Sequence, residues 1–209
     1  MIPTTPGSHS ANPVEGLVFV LSGPSGVGKD SVTGRIKEQG FPLSFCVTVT
    51  TRRPRRHEQD GVHYHFVDEP EYSRLLREGE LLESAVVHGN RYGIPRFEVR
   101  NRLCKGQDLM ITVDVQGGQT LRRELPGAIF IFLAPASLDE LLPRLINRDT
   151  ETEQERRLRL ENDEQEMQHW SLYDYLVTNR QGRLDEAVEA IKAIVVAERQ
   201  RTKKRLVRI

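Results

Sequence analysis

The segment that most restricts the fold of this chain is Gly23-Pro24-Ser25-Gly26-Val27-Gly28-Lys29-Asp30, set between an apolar run and a helical pattern. Residues 17–22 (LVFVLS) are continuously apolar up to their serine, as in a strand buried on both faces of a parallel sheet. The helical pattern begins at Lys29 and runs to about Gln39. Between them the glycines let the backbone wrap an anion without side-chain clash. Successive N–H groups and a helix N-terminus then surround a phosphate, and Lys29 reaches its outer oxygens. Strand, spacing and lysine together read as a P-loop rather than a Gly-rich turn.

One position departs from that pattern, which has Ser or Thr after the lysine for Mg²⁺. Here it is Asp30, followed by Ser31. A bare carboxylate about 4 Å from a phosphate charge would cost roughly 4 kcal/mol at an effective dielectric of 20. With Mg²⁺ between them the charge becomes attractive. Two readings stay open: Asp30 is a metal ligand, direct or through water, or it only complements the helix dipole while Ser31 takes the metal.

Further strands are expected at 44–50 (SFCVTVT), 108–114 (DLMITVD), 128–133 (AIFIFL) and 174–177 (DYLV), with helices at 96–105, 117–124 and 138–147. Strands alternating with helices predict an α/β core with a parallel sheet and right-handed crossovers. Two inserts break the alternation. Short strands at 64–67 and 82–87 with a helix near 69–77 form a small α+β lobe, and the charged stretch 148–170 suits a helical lid. The expected organisation is a disordered lead-in (1–14), core (15–47), lobe (48–95), core (96–143), lid (144–170), and a last core part with a basic helical tail (171–209).

Thirty basic residues balance thirty acidic ones, so no global field marks a nucleic-acid or membrane binder. No apolar stretch reaches the ~18 residues of a membrane span. The start has no secretion signal, and Cys46 and Cys104 read as reduced, buried thiols on a strand and a helix, so a cytoplasmic protein is expected. His57, His63 and His65 have no fourth partner at metal-site spacing, and the tail 199–208 reads as a solvated helix end.

Residues 50–66 spell TTRRPRxxExxGxxYxF, residues 83–93 read ESAVVHGNRYG, and residues 113–117 read VDVQG. From about Leu17 to Val196, these motifs in this order resemble guanylate kinase. The resemblance implies a P-loop nucleoside monophosphate kinase core, with the lobe binding GMP and the lid closing over ATP. The implied reaction is transfer of the γ-phosphoryl group of Mg-ATP to GMP or dGMP, giving ADP and GDP. Gly23, Pro24, Ser25, Gly26, Val27, Gly28, Lys29, Asp30, Ser31, Arg144 and Asn179 would serve ATP, with Asn179 on the adenine side. Arg52 and Arg55 can fork onto a dianionic phosphate, and Tyr64 and Tyr92 add hydroxyl donors. Glu83 can accept from guanine N1–H and the exocyclic amine together, and adenine would oppose it with an unprotonated nitrogen. Thr48 would meet guanine O6 and Asp114 the amine, while Lys29, Arg52, Arg148 and Arg159 would be catalytic.

Two departures from the family are visible. Ile94 stands where a base-contacting hydroxyl is expected, which lowers the expected affinity for GMP. Thr112 stands where an aspartate near the metal is expected, so Asp30 and Thr112 would form a Mg²⁺ ligand set conserved in type and swapped in place. The Gly-Lys-Asp-Ser run at 28–31 also resembles ribose 1,5-bisphosphate kinases, which would not carry the Arg52/Arg55/Tyr64 clamp or Glu83. An inactive guanylate-kinase-like protein-binding module would typically have a degraded P-loop, whereas Lys29 is intact. Oligomeric state is not readable.

Overall fold

A computed structural model describes residues 16–87, 89–137 and 165–209. Its first strand, β1 (Val18–Ser22), is buried throughout. It pairs in parallel with β7 (Leu109–Thr112) on one side and β8 (Ile129–Ala134) on the other. β2 (Ser44–Phe45) and β9 (Tyr175–Thr178) complete a five-stranded parallel sheet in the order β2-β7-β1-β8-β9.

The period of two along β1 explains the layers. Phe19 and Leu21 face one cluster, packed with Val32 and Ile36 of α1 (Lys29–Glu38) and Val188, Ile191 and Val195 of a C-terminal helix (Leu184–Arg199). Val18 and Val20 face the other, packed with Val99 and Leu103 of α3 (Arg96–Cys104) and Leu121 of α4 (Val115–Glu124). Burial of each such side chain contributes about 1.5–3 kcal/mol. Among the described residues no helix is long and apolar enough to cross a membrane.

A second sheet has the order β4-β3-β6-β5, formed by β3 (Thr48–Thr50), β4 (Tyr64–Phe66), β5 (Leu81–Val87) and β6 (Asn90–Pro95). α2 (Glu69–Arg77) starts with Asp68 accepting from the Glu71 N–H at 2.9 Å. It buries Tyr72 and Leu75 against Val49 and Leu81. The Tyr72 hydroxyl donates to the Tyr92 carbonyl at 2.7 Å, fixing the strand that carries Tyr92.

Four expectations change. The β-rich run 44–50 is two strands in two sheets, parted at Cys46 and Val47. The strand β6 was not expected, because Gly93 and Pro95 interrupt its pattern. Gly93 is needed there, since a Cβ would lie 2.9 Å from the Leu81 side chain and 3.1 Å from the Glu83 carbonyl. The cysteines are free as expected, but Cys46 is half-buried between strands and Cys104 is exposed. Burial pushes the Cys46 thiol up and keeps it protonated.

The fourth concerns the C-terminus. The last helix, α5 (Leu184–Arg199), stops at Arg199, and the chain folds back onto the core. Arg205 pairs with Asp174 at 2.9 Å, and Val207 is 2% exposed in the second cluster. Gly127 admits the tail, because a Cβ there would lie 2.0 Å from the Leu206 carbonyl oxygen. Val207→Ala is expected to lower stability by about 2 kcal/mol, seen as a lower denaturant midpoint at unchanged slope. A solvated tail would leave the midpoint in place.

Candidate active site

The P-loop joins β1 to α1 at the carboxyl ends of the parallel strands, where α/β sheets bind ligands. Its two ends are held by backbone conditions that only glycine meets. Gly23 has φ 150, and a Cβ there would lie 2.1 Å from the Leu133 carbonyl oxygen. Gly28 has φ 99 and precedes α1 with no side-chain cap, so the helix N-terminus stays available to an anion. Val27 is buried and anchors the loop, while Ser25 and Gly26 are exposed. The Lys29 ammonium donates to the Gly23 and Pro24 carbonyls at 2.5 and 3.0 Å, lying along the loop it serves. Asp30 and Ser31 are exposed on the first turn of α1.

The arginine motif leaves the end of β3. Arg52 Nη2 donates to Glu58 Oε1 at 2.8 Å, and the Arg55 N–H donates to Glu58 Oε2 at 2.7 Å. One carboxylate thus fixes the guanidinium and the backbone of the loop. Arg52 pulls Glu58 down to about 2, aided by the Arg55 amide, and Arg52 is itself raised by Glu58 and by Tyr92. Its guanidinium carbon lies 5.3 Å from the Tyr64 ring and 5.8 Å from the Phe66 ring. Tyr64 and Tyr92 meet edge-on at 6.1 Å, and the Arg55 side chain is exposed. Glu58 belongs to the motif, but its role could not be read without the fold.

Loop and clamp share one electrostatic space. The Tyr64 hydroxyl is raised first by burial, then by Tyr92, then by the Asp30 carboxylate. The Asp30 carboxylate of the P-loop is therefore near enough to oppose ionisation of the Tyr64 hydroxyl on the second sheet.

Glu83 is buried on β5, and burial plus the Asp114 charge push its carboxyl up to about 7. Asp114 ends the loop after β7 and caps α4, accepting from the Gly117 N–H at 2.7 Å. The Asp114 carboxylate at the start of α4 is thus near enough to oppose ionisation of Glu83. Thr48, at the start of β3, is half-buried and pairs in register with Tyr64. Ile94 pairs with Glu83 across the hairpin and is buried in the second cluster. Thr112 ends β7, in register with Leu21 of β1, and is half-buried.

Ser22 and Tyr173 are supporting residues that sequence reasoning missed, as it missed the role of Glu58. The Tyr173 hydroxyl donates to Ser22 Oγ at 2.9 Å, and Ser22 Oγ donates to the Asp114 carbonyl at 2.8 Å. This chain links the strand before the loop to the turn carrying Asp114. Asn179, just past β9, is buried with its amide on the Val27 carbonyl. Arg144, Arg148 and Arg159 lie outside the described residues.

Comparison with known proteins gives concordant family matches. A model of the guanylate kinase family matches residues 16–198. The chain is 42% identical over 184 residues to the guanylate kinase of Shouchella clausii, covering 88% of this chain and 89% of that one. It is 41% identical over 200 residues to guanylate kinase 2, chloroplastic/mitochondrial, of Oryza sativa subsp. japonica, covering 95% of this chain and 70% of the relative. The crystal structure of guanylate kinase from Anaplasma phagocytophilum superposes with a TM-score of 0.70 at 32% identity, covering 92% of this chain and 90% of that one.

Proposed function

The chain belongs to the guanylate kinase family and is an ATP:GMP phosphotransferase, and we propose how its side chains divide that reaction. The loop from Gly23 to Ser31 receives the donor phosphates through its backbone N–H groups, with the Lys29 ammonium on the outer oxygens. Arg52 and Arg55 hold the GMP phosphate with the Tyr64 and Tyr92 hydroxyls, and Glu58 keeps Arg52 aimed. Glu83 accepts from guanine N1–H and the amine, Asp114 accepts a further amine proton, and Thr48 faces O6.

A GMP phosphate oxygen attacks the γ-phosphorus in line, and the bond to the β–γ bridging oxygen breaks. Charge spreads over the equatorial oxygens, where Lys29 and Arg52 stabilise it. Arg144, Arg148 and Arg159 join them in this reading as lid arginines that exclude water, and the organisation into core, GMP lobe (48–95) and lid (144–170) is part of the same proposal.

Mg²⁺ fits the donor set. The carboxylate of Asp30 and the hydroxyls of Ser31 and Thr112 are hard oxygen donors, and Mg²⁺ asks for one or two protein oxygens beside substrate phosphates and water. When bound, the ion neutralises charge on the donor phosphates. Asp30→Ser should raise the Mg²⁺ concentration for half-maximal rate about tenfold, the rough effect of losing one charge-assisted contact. A titration of rate against Mg²⁺ at fixed ATP reads this. An unchanged curve would leave Asp30 as a helix-dipole residue only.

The observation that carries the guanine assignment is the buried Glu83 carboxyl beside Asp114. A carboxyl placed there without a partner costs stability, and a ligand presenting two neighbouring donors removes that cost. Only the ionised form accepts both bonds. Because Glu83 is pushed up to about 7, GMP binding should weaken as pH falls below neutrality. Neutral Glu83 can instead donate to adenine N1, so the preference for GMP over AMP should fall roughly tenfold from pH 7 to pH 6. Calorimetric titration of both nucleotides against pH tests this, since their phosphate protonation cancels in the ratio. A flat ratio would remove Glu83 as the base reader. Reduced thiols and balanced charge support a cytoplasmic location as part of the same proposal.

A further inference from the structure

We propose that Asn179 acts as a positioning residue that sets the Val27–Gly28 corner of the phosphate loop, and that it does not read the donor's base. The inference rests on the reading of this loop as the donor-phosphate site. Asn179 directly follows β9, and its N–H donates to the Ala134 carbonyl at 2.8 Å, which fixes it beside the end of β8. Its side chain is 5% exposed, and Nδ2 donates to the Val27 carbonyl at 2.8 Å. The amide therefore lies under the loop, with a proton committed to the loop's own backbone.

That bond has a directional consequence. Across a trans peptide the carbonyl and the following N–H point in opposite senses, and every described peptide bond is trans. A Val27 carbonyl held down on Asn179 turns the Gly28 N–H away from Asn179, toward the open side of the loop. Contact between the two is tight. Gly28 has φ 99, and a Cβ there would lie 2.6 Å from Asn179 Nδ2. At the other end of the loop Gly23 rests on the Leu133 carbonyl in the same way. The loop is thus seated at both ends on the two last strands of the sheet, and Asn179 is the side chain of that seat. Val27 is wholly buried, so the bond lies away from water, where replacing its donor is costly.

The test compares a ligand with a base to one without. Wild type, Asn179→Leu and Asn179→Asp are titrated with inorganic tripolyphosphate and with ATP, each with Mg²⁺, and assayed with ATP and GTP as donors. Both variants should bind tripolyphosphate and ATP about tenfold more weakly, by the same factor for each ligand. The KM for GMP and the ATP-over-GTP preference should stay as in wild type. Variants that lose ATP affinity but keep tripolyphosphate affinity, or that change donor preference, would overturn the proposal in favour of base reading. Unchanged affinity for both ligands would overturn it as well. A wild type that binds no tripolyphosphate would instead overturn the loop's assignment as the donor site, and this proposal with it. If neither variant folds, wild-type NMR decides. The Asn179 side-chain amide signals should move as much with tripolyphosphate as with ATP. A response to ATP alone would assign the residue to the base.

Discussion

Replacing Lys29 by methionine is expected to lower kcat about a thousandfold while leaving the fold intact, the upper range for removing one preorganised charge from a developing oxyanion. The ammonium lies along the loop on the Gly23 and Pro24 carbonyls, on the side chain that opens α1. Methionine keeps the length of the stem but removes the charge together with the two hydrogen bonds to the Gly23 and Pro24 carbonyls. Loss of those two bonds should lower stability by about 1–3 kcal/mol, seen as a lower denaturant midpoint. Single-turnover phosphoryl transfer with saturating GMP measures the loss at the chemical step. A loss confined to the KM for ATP would mean that Lys29 binds ground state and transition state alike.

Glu83→Gln is expected to cost about a hundredfold to a thousandfold in kcat/KM for GMP, with the KM for ATP unchanged. The amide keeps size and burial but presents one acceptor and one donor where guanine presents two donors. One donor is then left facing another, and such mismatches discriminate strongly in a dry site. The same variant should behave differently in stability. The wild-type carboxyl is pushed up to about 7, so its favourable contribution is complete below the ordinary glutamate range and is lost as pH rises toward 7. Glutamine has no such loss. Denaturant melts of the GMP-free proteins between pH 5 and 8 should show wild type weakening relative to Glu83→Gln.

The loop was legible because its chemistry is local: strand, glycines, lysine and helix stand within fourteen residues of one another in the chain. The α/β core was legible for a similar reason, since strands buried on both faces read as unbroken apolar runs. Tertiary choices were not. SFCVTVT has the same β-propensity from end to end, and nothing local says that Ser44–Phe45 joins one sheet and Thr48–Thr50 another. Asn90–Pro95 pairs along its length despite Gly93 and Pro95, because Tyr72 and Leu81 close over the glycine.

The site shows the same division. Glu58 was visible as a letter of the motif, but its work depends on the chain turning back so that one carboxylate meets both Arg52 and the Arg55 amide. Tyr173 and Ser22 are 151 positions apart, and only the fold puts their hydroxyls 2.9 Å apart. At the tail, the apolar Leu206, Val207 and Ile209 stand among arginines and lysines, and the charge around them hides their pattern. In the fold, Val207 is buried and Ile209 packs against the same cluster.

This site transfers phosphate to a nucleotide chosen for its guanine. The most direct measurement is ADP formation from Mg-ATP with GMP, dGMP, AMP, UMP and ribose 1,5-bisphosphate assayed in parallel. GMP should be used best and dGMP well, with AMP and UMP poorer by about a thousandfold or more in kcat/KM and no turnover of the sugar bisphosphate. Turnover of ribose 1,5-bisphosphate, equal use of AMP, or no turnover of any acceptor would contradict the account.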